Sequence, residues 1–446
     1  MKAREIALLI VIILAGFLLT QSEKGRINWN WGGDWGDGDG WFFGRSHEFT
    51  AQEAKTIDAP LPEEIAVVNS HGDVDVQPSA DGTLTILLET KAWRRSEEQA
   101  QETARSVHLI ADRQGSKLSL STNRDTFRRT RFRTNWIIRL PEGRAVDIRN
   151  SYGLVKTEQT GRTTIVNSHG EVRAKSVKGA FDCRTSYDDV NASDLADECR
   201  IECRHGAVTA VRVKGLVSVT ASYGDVRVEE AGGDVTVSGT HLEVSARKVA
   251  GAVKAETTYR NISLAETGPA VLIGHHSAVD ARDIRGDLSV NDVYGRVTAR
   301  NIQGSLTVEG RSLEVIGRSV AGPKLSISTS YETVDLADFS GRTDISLAHG
   351  SVTLRPSQIG GDLTVKAEHS DIRLFWPAGA AHPFEAKASH GSIRWNLETR
   401  PDTDTKNGFS LVKAFSREAG RPRVTLNTTY ADISVEPAGP DAKEEF

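Results

Sequence analysis

One phase of a repeating unit holds nearly all the phenol and imidazole rings of this chain. All seven tyrosines and eight of the twelve histidines fall on it. In sequence order the rings are His71, Tyr152, His169, Tyr187, His205, Tyr223, His241, Tyr259, His276, Tyr294, Tyr331, His349, His369, His390 and Tyr430, with Ser312 at the same phase between Tyr294 and Tyr331. From Tyr152 to Tyr294 the step is 17 or 18 residues, and His and Tyr alternate strictly. A fixed period of this length predicts a solenoid whose rungs bury their apolar faces against one another.

The spacing of apolar residues within one period predicts strands separated by corners. Counting from the ring, they recur at +3, +5, +8, +12 and +14, as in Val208, Ala210, Val213, Val217 and Val219. Steps of two are typical of strands, and the larger steps indicate corners. Gly recurs at +10, where the missing Cβ would permit a sharp bend. We therefore predict an all-β, single-stranded β-solenoid (β-helix) with rungs of about 18 residues, some fifteen of which would form a rod of roughly 70 Å.

The solenoid is predicted over residues 146–436. Its pattern loosens after Leu374, where insertions lengthen the rungs, and residues 437–446 form a tail predicted to be disordered. Residues 47–145 are less regular and are predicted to be an N-terminal α+β cap with one helix at about 96–107, beginning at Ser96. The basic segment 124–133 within the cap is interpreted as a solvated loop, with contact to acidic lipid or polysaccharide as the alternative.

The N-terminus carries an uncharged apolar run from Ile6 to Thr20, behind Lys2 and Arg4. Residues 1–22 are predicted to be a membrane anchor or a cleaved signal, with the uncleaved anchor favoured because no small-residue cleavage site follows. Residues 23–46 form a Gly-, Trp- and Asp-rich linker. The protein is thus expected in the cell membrane as a single-pass protein, with its bulk on the extracytoplasmic side, either periplasmic or at the cell surface.

Charge and cysteine content exclude some classes of partner. The formal net charge is −5, from 55 basic and 60 acidic residues, which gives no reason to expect nucleic acid as a partner. The three cysteines, Cys183, Cys199 and Cys203, are an odd set and out of register, so buried free thiols are expected rather than a disulfide or a metal site. No cofactor-binding motif is found in the sequence.

The segment from Trp136 to Phe181 has an order of a strand, a Pro-Glu-Gly turn, a strand and then repeated small-polar-x-Gly-x-Val rungs. This order resembles the bacterial putative-adhesin family of β-solenoid domains of unknown function, and the likeness covers about residues 60 to 436. The resemblance implies an extracytoplasmic, non-enzymatic solenoid involved in cell-envelope sensing or surface attachment, and it brings no catalytic residues. This chain departs from the family at the ring position, which more usually carries Asn or another small polar residue.

The ring phase is interpreted first as a structural ladder of stacked side chains, inward or at a corner, because cross-strand aromatic pairs stabilise sheets. An intervening Tyr would double the spacing between imidazoles and could pair its hydroxyl with a ring nitrogen. The alternatives are a pH-sensitive stripe or a row of metal sites, since His titrates near neutral pH and binds metals. His349, His369 and His390 follow one another in sequence without a Tyr between them, so the pH-responsive hypothesis is placed on these three.

The function predicted from the sequence is a non-enzymatic, membrane-tethered element of the cell envelope with a structural, adhesin-like or sensing role. A polysaccharide-active β-helix enzyme is the alternative, because long β-helices can carry paired acids on one face. The outward charged residues are Glu171 with Arg173, Asp225 with Arg227 and Asp371 with Arg373, and they are interpreted as solvated ion pairs rather than a catalytic dyad. The partner is predicted to be an envelope protein or a polysaccharide, and self-association is left open.

Overall fold

The computed structural model describes residues 46–127, 130–406, 408–415 and 420–439. The strands of these residues join in one hydrogen-bonded sheet of 33 strands, which winds into a β-solenoid of about 13 turns with 3% helix. The predicted all-β solenoid is confirmed. The turns are fewer than the fifteen predicted.

The predicted membrane anchor at 1–22 and the linker up to residue 45 lie outside the described residues, as does the end of the tail from residue 440. Within the part of the chain that the structure describes, no helix is both long enough and apolar enough to span a bilayer.

The N-terminal region combines two solenoid strands with an antiparallel cap. Its elements are β1 (His47–Ile57), β2 (Glu64–Val68), β3 (Val74–Pro78), β4 (Leu84–Arg94), α1 (Glu97–Ser106), β5 (Leu109–Gln114), β6 (Lys117–Thr122), a 3₁₀ turn (Arg124–Thr126) and β7 (Phe132–Leu140). The helix begins after Ser96, whose side chain accepts a hydrogen bond from the Gln99 amide. β6 and β7 pair in parallel with β2 and β3, and β5 and β4 then cover them in antiparallel order, with β1 outside β4. The first rung therefore does not present an open parallel edge.

The central array runs from β8 to β27, and every pairing within it is parallel. The strands are β8 (Ala145–Tyr152), β9 (Val155–Glu158), β10 (Thr163–His169), β11 (Val172–Lys175), β12 (Phe181–Tyr187), β13 (Val190–Leu195), β14 (Cys199–His205), β15 (Val208–Val213), β16 (Val217–Ala231), β17 (Val235–Val249), β18 (Val253–Glu256), β19 (Ile262–Thr267), β20 (Ala270–Ile273), β21 (Ala278–Ile284), β22 (Leu288–Ile302), β23 (Leu306–Val320), β24 (Lys324–Ser330), β25 (Thr333–Phe339), β26 (Arg342–Arg355) and β27 (Leu363–Trp376).

Successive rungs lie in register, so that each apolar phase forms a column through the core. In the rung that begins at His205, the residues at +3 and +12, Val208 and Val217, pair with Val226 and Val235 of the next rung. All four of these valines are at most 1% exposed. The alternation of buried and exposed side chains along each strand is the burial pattern expected for two sheets that face one core.

Glycine at +10 is required by crowding rather than by an unusual φ angle. A Cβ atom at this phase would lie within 3.0 Å of the preceding rung at each of Gly179, Gly215, Gly233, Gly251, Gly286, Gly304, Gly322 and Gly341. None of these glycines has a positive φ. The corner predicted at this phase therefore depends on close approach of stacked backbones, since a side chain there would push the rungs apart.

The C-terminal region reverses the order of two rungs. It contains β28 (Phe384–Ser389), β29 (Ile393–Trp395), β30 (Asp402–Lys406), β31 (Phe409–Ala414), β32 (Val424–Thr429) and β33 (Ile433–Pro437). β27 pairs with β32 and β33, which in turn pair with β28 and β29, so the last strands in sequence lie between two earlier rungs. β31 and β30 then add to β28 in antiparallel order and form the outer edge on that side.

Candidate functional site: a ladder of rings along one corner

The rings of the repeated phase stack on one another along a single corner of the solenoid. Thirteen consecutive pairs have centroid separations of 4.5–5.4 Å and interplanar angles of 6–27°. Face-to-face geometry of this kind means that the rungs are joined by ring stacking, rather than by hydrogen bonds from tyrosine hydroxyls to imidazole nitrogens.

The rings point outward. The seven tyrosines are between 47% and 65% exposed, so of the two placements considered, inward or at the corner, the structure shows the corner. Stacking covers the ring faces while the edges and hydroxyl groups meet solvent. The result is a stripe of polar ring edges that is interrupted once, at Ser312.

The backbone that turns this corner changes along the solenoid. In the early rungs the positive φ falls on the glycine after the ring, at Gly72, Gly153, Gly170 and Gly206. From Tyr223 onward the residue at the ring position itself has a φ of 49–66°. The left-handed conformation at a non-glycine residue is costly and persists only where the surroundings hold it. Backbone pairing between rungs holds it here, because Ser312, which carries no ring, has the same conformation in a rung that stays in register.

The hypothesis that His349, His369 and His390 form an unspaced run is wrong for His390. Because the last two rungs are reversed in space, Tyr430 lies between His369 and His390, with its ring centroid 4.8 Å from each. His349 and His369 do stack directly, at 4.9 Å. At the other end His71 stacks on Tyr152, although the cap residues separate the two in sequence. In the structure, His and Tyr therefore alternate from His71 to Tyr294, and again from His369 through Tyr430 to His390.

Ser312 breaks the ladder between Tyr294 and Tyr331. Its rung is otherwise regular, since Val293 and Gly295 pair with Arg311 and Leu313 on either side of it. Within the described residues, every other position of this phase in the array carries a ring.

The ladder does not have the geometry of a metal site. Stacked rings hold their nitrogen atoms in parallel planes, and the Nδ1 atoms of His169 and His241 are buried. The part of the chain that the structure describes contains no group of three or more His, Cys, Asp or Glu side chains positioned to hold a metal ion.

Many of the carboxylates on the surface pair with arginines or lysines. Arg173 binds Glu171 through two bonds of 2.6 Å, which lowers the pKa of that carboxyl. A cavity of about 640 Å³ lies at another corner of the solenoid, formed by the residues at +7 from the ring. There Arg212 binds Asp194 through both carboxylate oxygens and lowers the pKa of that carboxyl. A glycosidase needs a carboxylic acid that keeps its proton near neutral pH. These acids are shifted in the opposite direction.

Asp292 is the exception, and it is fully buried. It lies two residues before Tyr294, at an inner phase that carries Gly274 in the preceding rung and Gly310 in the next. Its Oδ1 accepts a hydrogen bond of 2.6 Å from the Val293 amide, while burial raises its pKa to about 6. A side chain at Gly274 would contact this carboxylate, with its Cβ 2.6 Å away. Asp292 therefore braces the corner beneath the ladder and is closed to substrate.

The inner phase that holds Asp292 satisfies buried backbone groups elsewhere too. Asn167 Nδ2 donates to the carbonyl oxygens of Gly153 and Gly170, at 3.0 and 2.7 Å. Thr257 Oγ1 accepts from the Leu242 amide and donates to its carbonyl. Polar side chains at this phase thus hydrogen-bond the backbone of the turn, as buried polar groups generally require.

The three cysteines are free and buried, as predicted. Burial raises the pKa of Cys199 to about 12 and that of Cys203 to about 11, and it raises the pKa of Cys183 well above its usual value. Thiols with such pKa values are poor nucleophiles and poor metal ligands at neutral pH.

A second column of unusual backbone was not predicted from the sequence. The residue at +7 has a φ of 54–60° in eleven successive rungs, at Gln159, Ser176, Asp194, Arg212, Glu230, Lys248, Glu266, Asp283, Asn301, Ser319 and Asp338. The available signal was a polar residue between the apolar +5 and +8 positions. Side chains of opposite charge pair along this column, as in Lys248 with Glu230 at 3.3 Å.

Part of the chain is similar to known proteins. Residues 62–269 match the model of the family described as Toastrack DUF4097. No curated protein matches the chain. It is similar to a crystal structure described as a putative cell adhesion protein from Clostridium sporogenes ATCC 15579, with 8% identity over 87% of this chain and 100% of that chain and a TM-score of 0.18. A structure described as a putative adhesin from Bacteroides fragilis NCTC 9343 has 12% identity, coverage of 60% and 97%, and a TM-score of 0.21.

Proposed function

We propose that this chain, whose residues 62–269 match the family described as Toastrack DUF4097, works as a non-enzymatic, membrane-tethered rod on the extracytoplasmic side of the cell membrane. In this proposal the ring ladder is an adhesin-like surface that binds a linear polysaccharide of the cell envelope. The observation that carries the proposal is the unbroken outward stripe of stacked rings from His71 to Tyr294.

The chemistry of this stripe suits a polymer with a regular repeat. Tyrosine hydroxyls both donate and accept hydrogen bonds, and they recur every second rung, at roughly 9.6 Å for strands about 4.8 Å apart. Imidazole edges add a donor or acceptor between them. A polysaccharide offers hydroxyl groups at regular intervals, so one chain laid along the corner would meet the same set of partners repeatedly.

The ends of the solenoid support action as a single rod. Antiparallel strands cover the first rungs, and β31 with β30 cover one side of the last rung. Covered edges disfavour strand pairing between molecules. This favours a displayed surface over end-to-end self-association.

Tethering is supported by the apolar run from Ile6 to Thr20, which follows two basic residues. A phosphatase reporter that folds only outside the cytoplasm, fused to the C-terminus, would test this part of the proposal. Activity of the fusion in intact cells, with the protein in the membrane fraction, is the expected result. An inactive fusion or a protein in the soluble fraction would contradict the tether.

Binding is tested by applying the full chain, purified in mild detergent, to an array of cell-envelope and host polysaccharides. Replacing Tyr187, Tyr223 and Tyr259 together by Phe removes the hydroxyl groups and keeps the stacked rings. We expect this variant to lose binding while its thermal unfolding stays close to that of the wild type. Lys254→Ala, an exposed change away from the corner, is the control. Absence of any bound polysaccharide, or equal binding by the Phe variant, would refute the proposal.

A further inference from the structure

The break in the ladder at Ser312 leaves a slot with two aromatic walls. Tyr294 and Tyr331 occupy the rungs on either side, and Ser312 has a φ of 49°, like the ring residues of neighbouring rungs. The strands around Ser312 keep their register with the preceding rung. The two tyrosines are therefore held two strand spacings apart, or roughly 9.6 Å.

The slot has the width of one flat ring. At the preceding interval His276 fills the same space, with its ring centroid 5.2 Å from Tyr259 and 4.9 Å from Tyr294. A ring placed beside Ser312 would meet Tyr294 and Tyr331 at similar distances. Offset stacking on two faces at such distances is favourable for an aromatic guest.

The neighbouring side chains do not occupy the slot. Leu313 is fully buried and fills the inner corner beside Gly310. Arg296, on the far side of the turn, is bound to Glu314 at 2.6 Å. Leu313 and Arg296 therefore leave the slot open, since the first points inward and the second is already paired.

The slot also has a cation beside it. Arg311 is exposed, immediately precedes Ser312, and has no ion pair or hydrogen bond to any described residue. The adjacent rungs carry Val293 and Ser330 at this phase. A guanidinium in this position suits a carboxylate, since it can form two parallel hydrogen bonds with one.

We propose that the gap at Ser312 is a binding slot for one small aromatic carboxylate, whose ring lies between Tyr294 and Tyr331 and whose carboxylate binds Arg311. This site is separate from the polysaccharide surface, because it uses the faces of the rings and not their edges. It does not rest on the function proposed above.

The probe is indole-3-acetate, titrated into the full chain and followed by calorimetry and by ligand-observed NMR. Indole, which lacks the charge, and cyclohexylacetate, which lacks the aromatic ring, are the comparison ligands. We expect one molecule of indole-3-acetate per chain, with a ring-current shift of its indole protons. Both comparison ligands should bind more weakly. Equal binding of cyclohexylacetate would refute the stacking geometry.

Four variants separate the slot from other sites. Ser312→His supplies the missing ring and should lower affinity by about tenfold or more, whereas Ser312→Ala leaves the slot open and should bind like the wild type. Arg311→Ala should reduce the affinity for indole-3-acetate to that for indole. His276→Ser opens a gap of similar width between Tyr259 and Tyr294 that has His275 in place of an arginine, so it should add no second site of comparable affinity for indole-3-acetate.

Unchanged binding in Ser312→His would overturn the proposal, as would a wild-type chain that shows no saturable binding. Because Ser312→His restores the pattern of the neighbouring rungs, we expect it to fold. Should it fail to do so, undiminished binding of indole-3-acetate by Arg311→Ala would overturn the proposal independently.

Discussion

Replacing Asp292 by Asn should remove a pH dependence from the rung beneath Tyr294. The carboxyl of Asp292 is fully buried, and burial raises its pKa from 3.8 to about 6 against the opposing effect of the Val293 amide. Asn has nearly the same shape and retains an oxygen to accept the amide hydrogen bond. The substitution therefore changes the titration without leaving a cavity.

A raised pKa means that the folded state binds the proton more tightly than the unfolded state. The contribution to the free energy of unfolding is present in full below about pH 4 and is lost as the pH rises through about 6. The whole shift corresponds to about 3 kcal/mol. Between about pH 4.5 and pH 7.5 the expected loss is about 2 kcal/mol, or roughly 30-fold in the opening equilibrium of this rung.

Hydrogen exchange by mass spectrometry on Leu288–Ile302 measures this opening locally, which suits a solenoid whose rungs depend on their neighbours. The ratio of wild-type to Asp292→Asn protection should fall by about 30-fold from pH 4.5 to 7.5. Glu309→Gln, an exposed change in the adjacent rung, should leave the ratio flat. Parallel pH profiles for wild type and Asp292→Asn would refute the reasoning.

Three further outcomes are expected. Gly322→Ala should lower the free energy of unfolding by about 1–3 kcal/mol, because its Cβ would collide with the carbonyl oxygen of Gly304. Gly439→Ala is the control, since nothing lies within 4 Å of its Cβ. Equal melting temperatures for the two variants would contradict the role of crowding at this corner. If the pH-responsive hypothesis holds for His349 and His369, lowering the pH from about 7.5 to about 5 should reduce hydrogen-exchange protection there, measured relative to the intrinsic exchange rate, because two protonated imidazoles with ring centroids 4.9 Å apart would repel each other; unchanged protection would end the pH-switch hypothesis. The three cysteines should resist maleimide in the folded chain and react together in urea, since burial raises their pKa values; rapid labelling of the native protein would show that the thiols are accessible.

The solenoid could be predicted because its evidence is periodic and local. Rings at a fixed phase, with apolar residues at constant offsets, define the rung length and the core positions without reference to distant parts of the chain. The same offsets placed Val208 and Val217 in the core, and both are fully buried.

The corner at +7 could not be predicted by the same means. Its members include Asp194, Arg212 and Ser319, which share a left-handed backbone but no side-chain chemistry. Asp292 was also missed, since the inner phase it occupies carries Asn, Thr, Cys, Ala and Gly in other rungs. A burial-induced pKa shift depends on packing in three dimensions and leaves no mark on residue type.

The position of Tyr430 was out of reach for a different reason. Sequence order places His390 next to His369, but the structure places Tyr430 between them. The pairing joins strands some 60 residues apart, and a period read along the chain carries no information about such an exchange of neighbours.

That exchange also fixes when the molecule can be completed. Each central rung can pair with the one before it as soon as its own 18 or so residues have left the ribosome or translocon. The strand Phe384–Ser389 cannot take its final place until Val424–Thr429 has been made, because Val424–Thr429 lies between it and Leu363–Trp376. Until then the growing array presents an open parallel edge, which invites pairing with other chains. The far end of the rod therefore reaches its final order only after Val424–Thr429 has been made, so a chain cut short after His390 would keep an open edge that is covered in the structure.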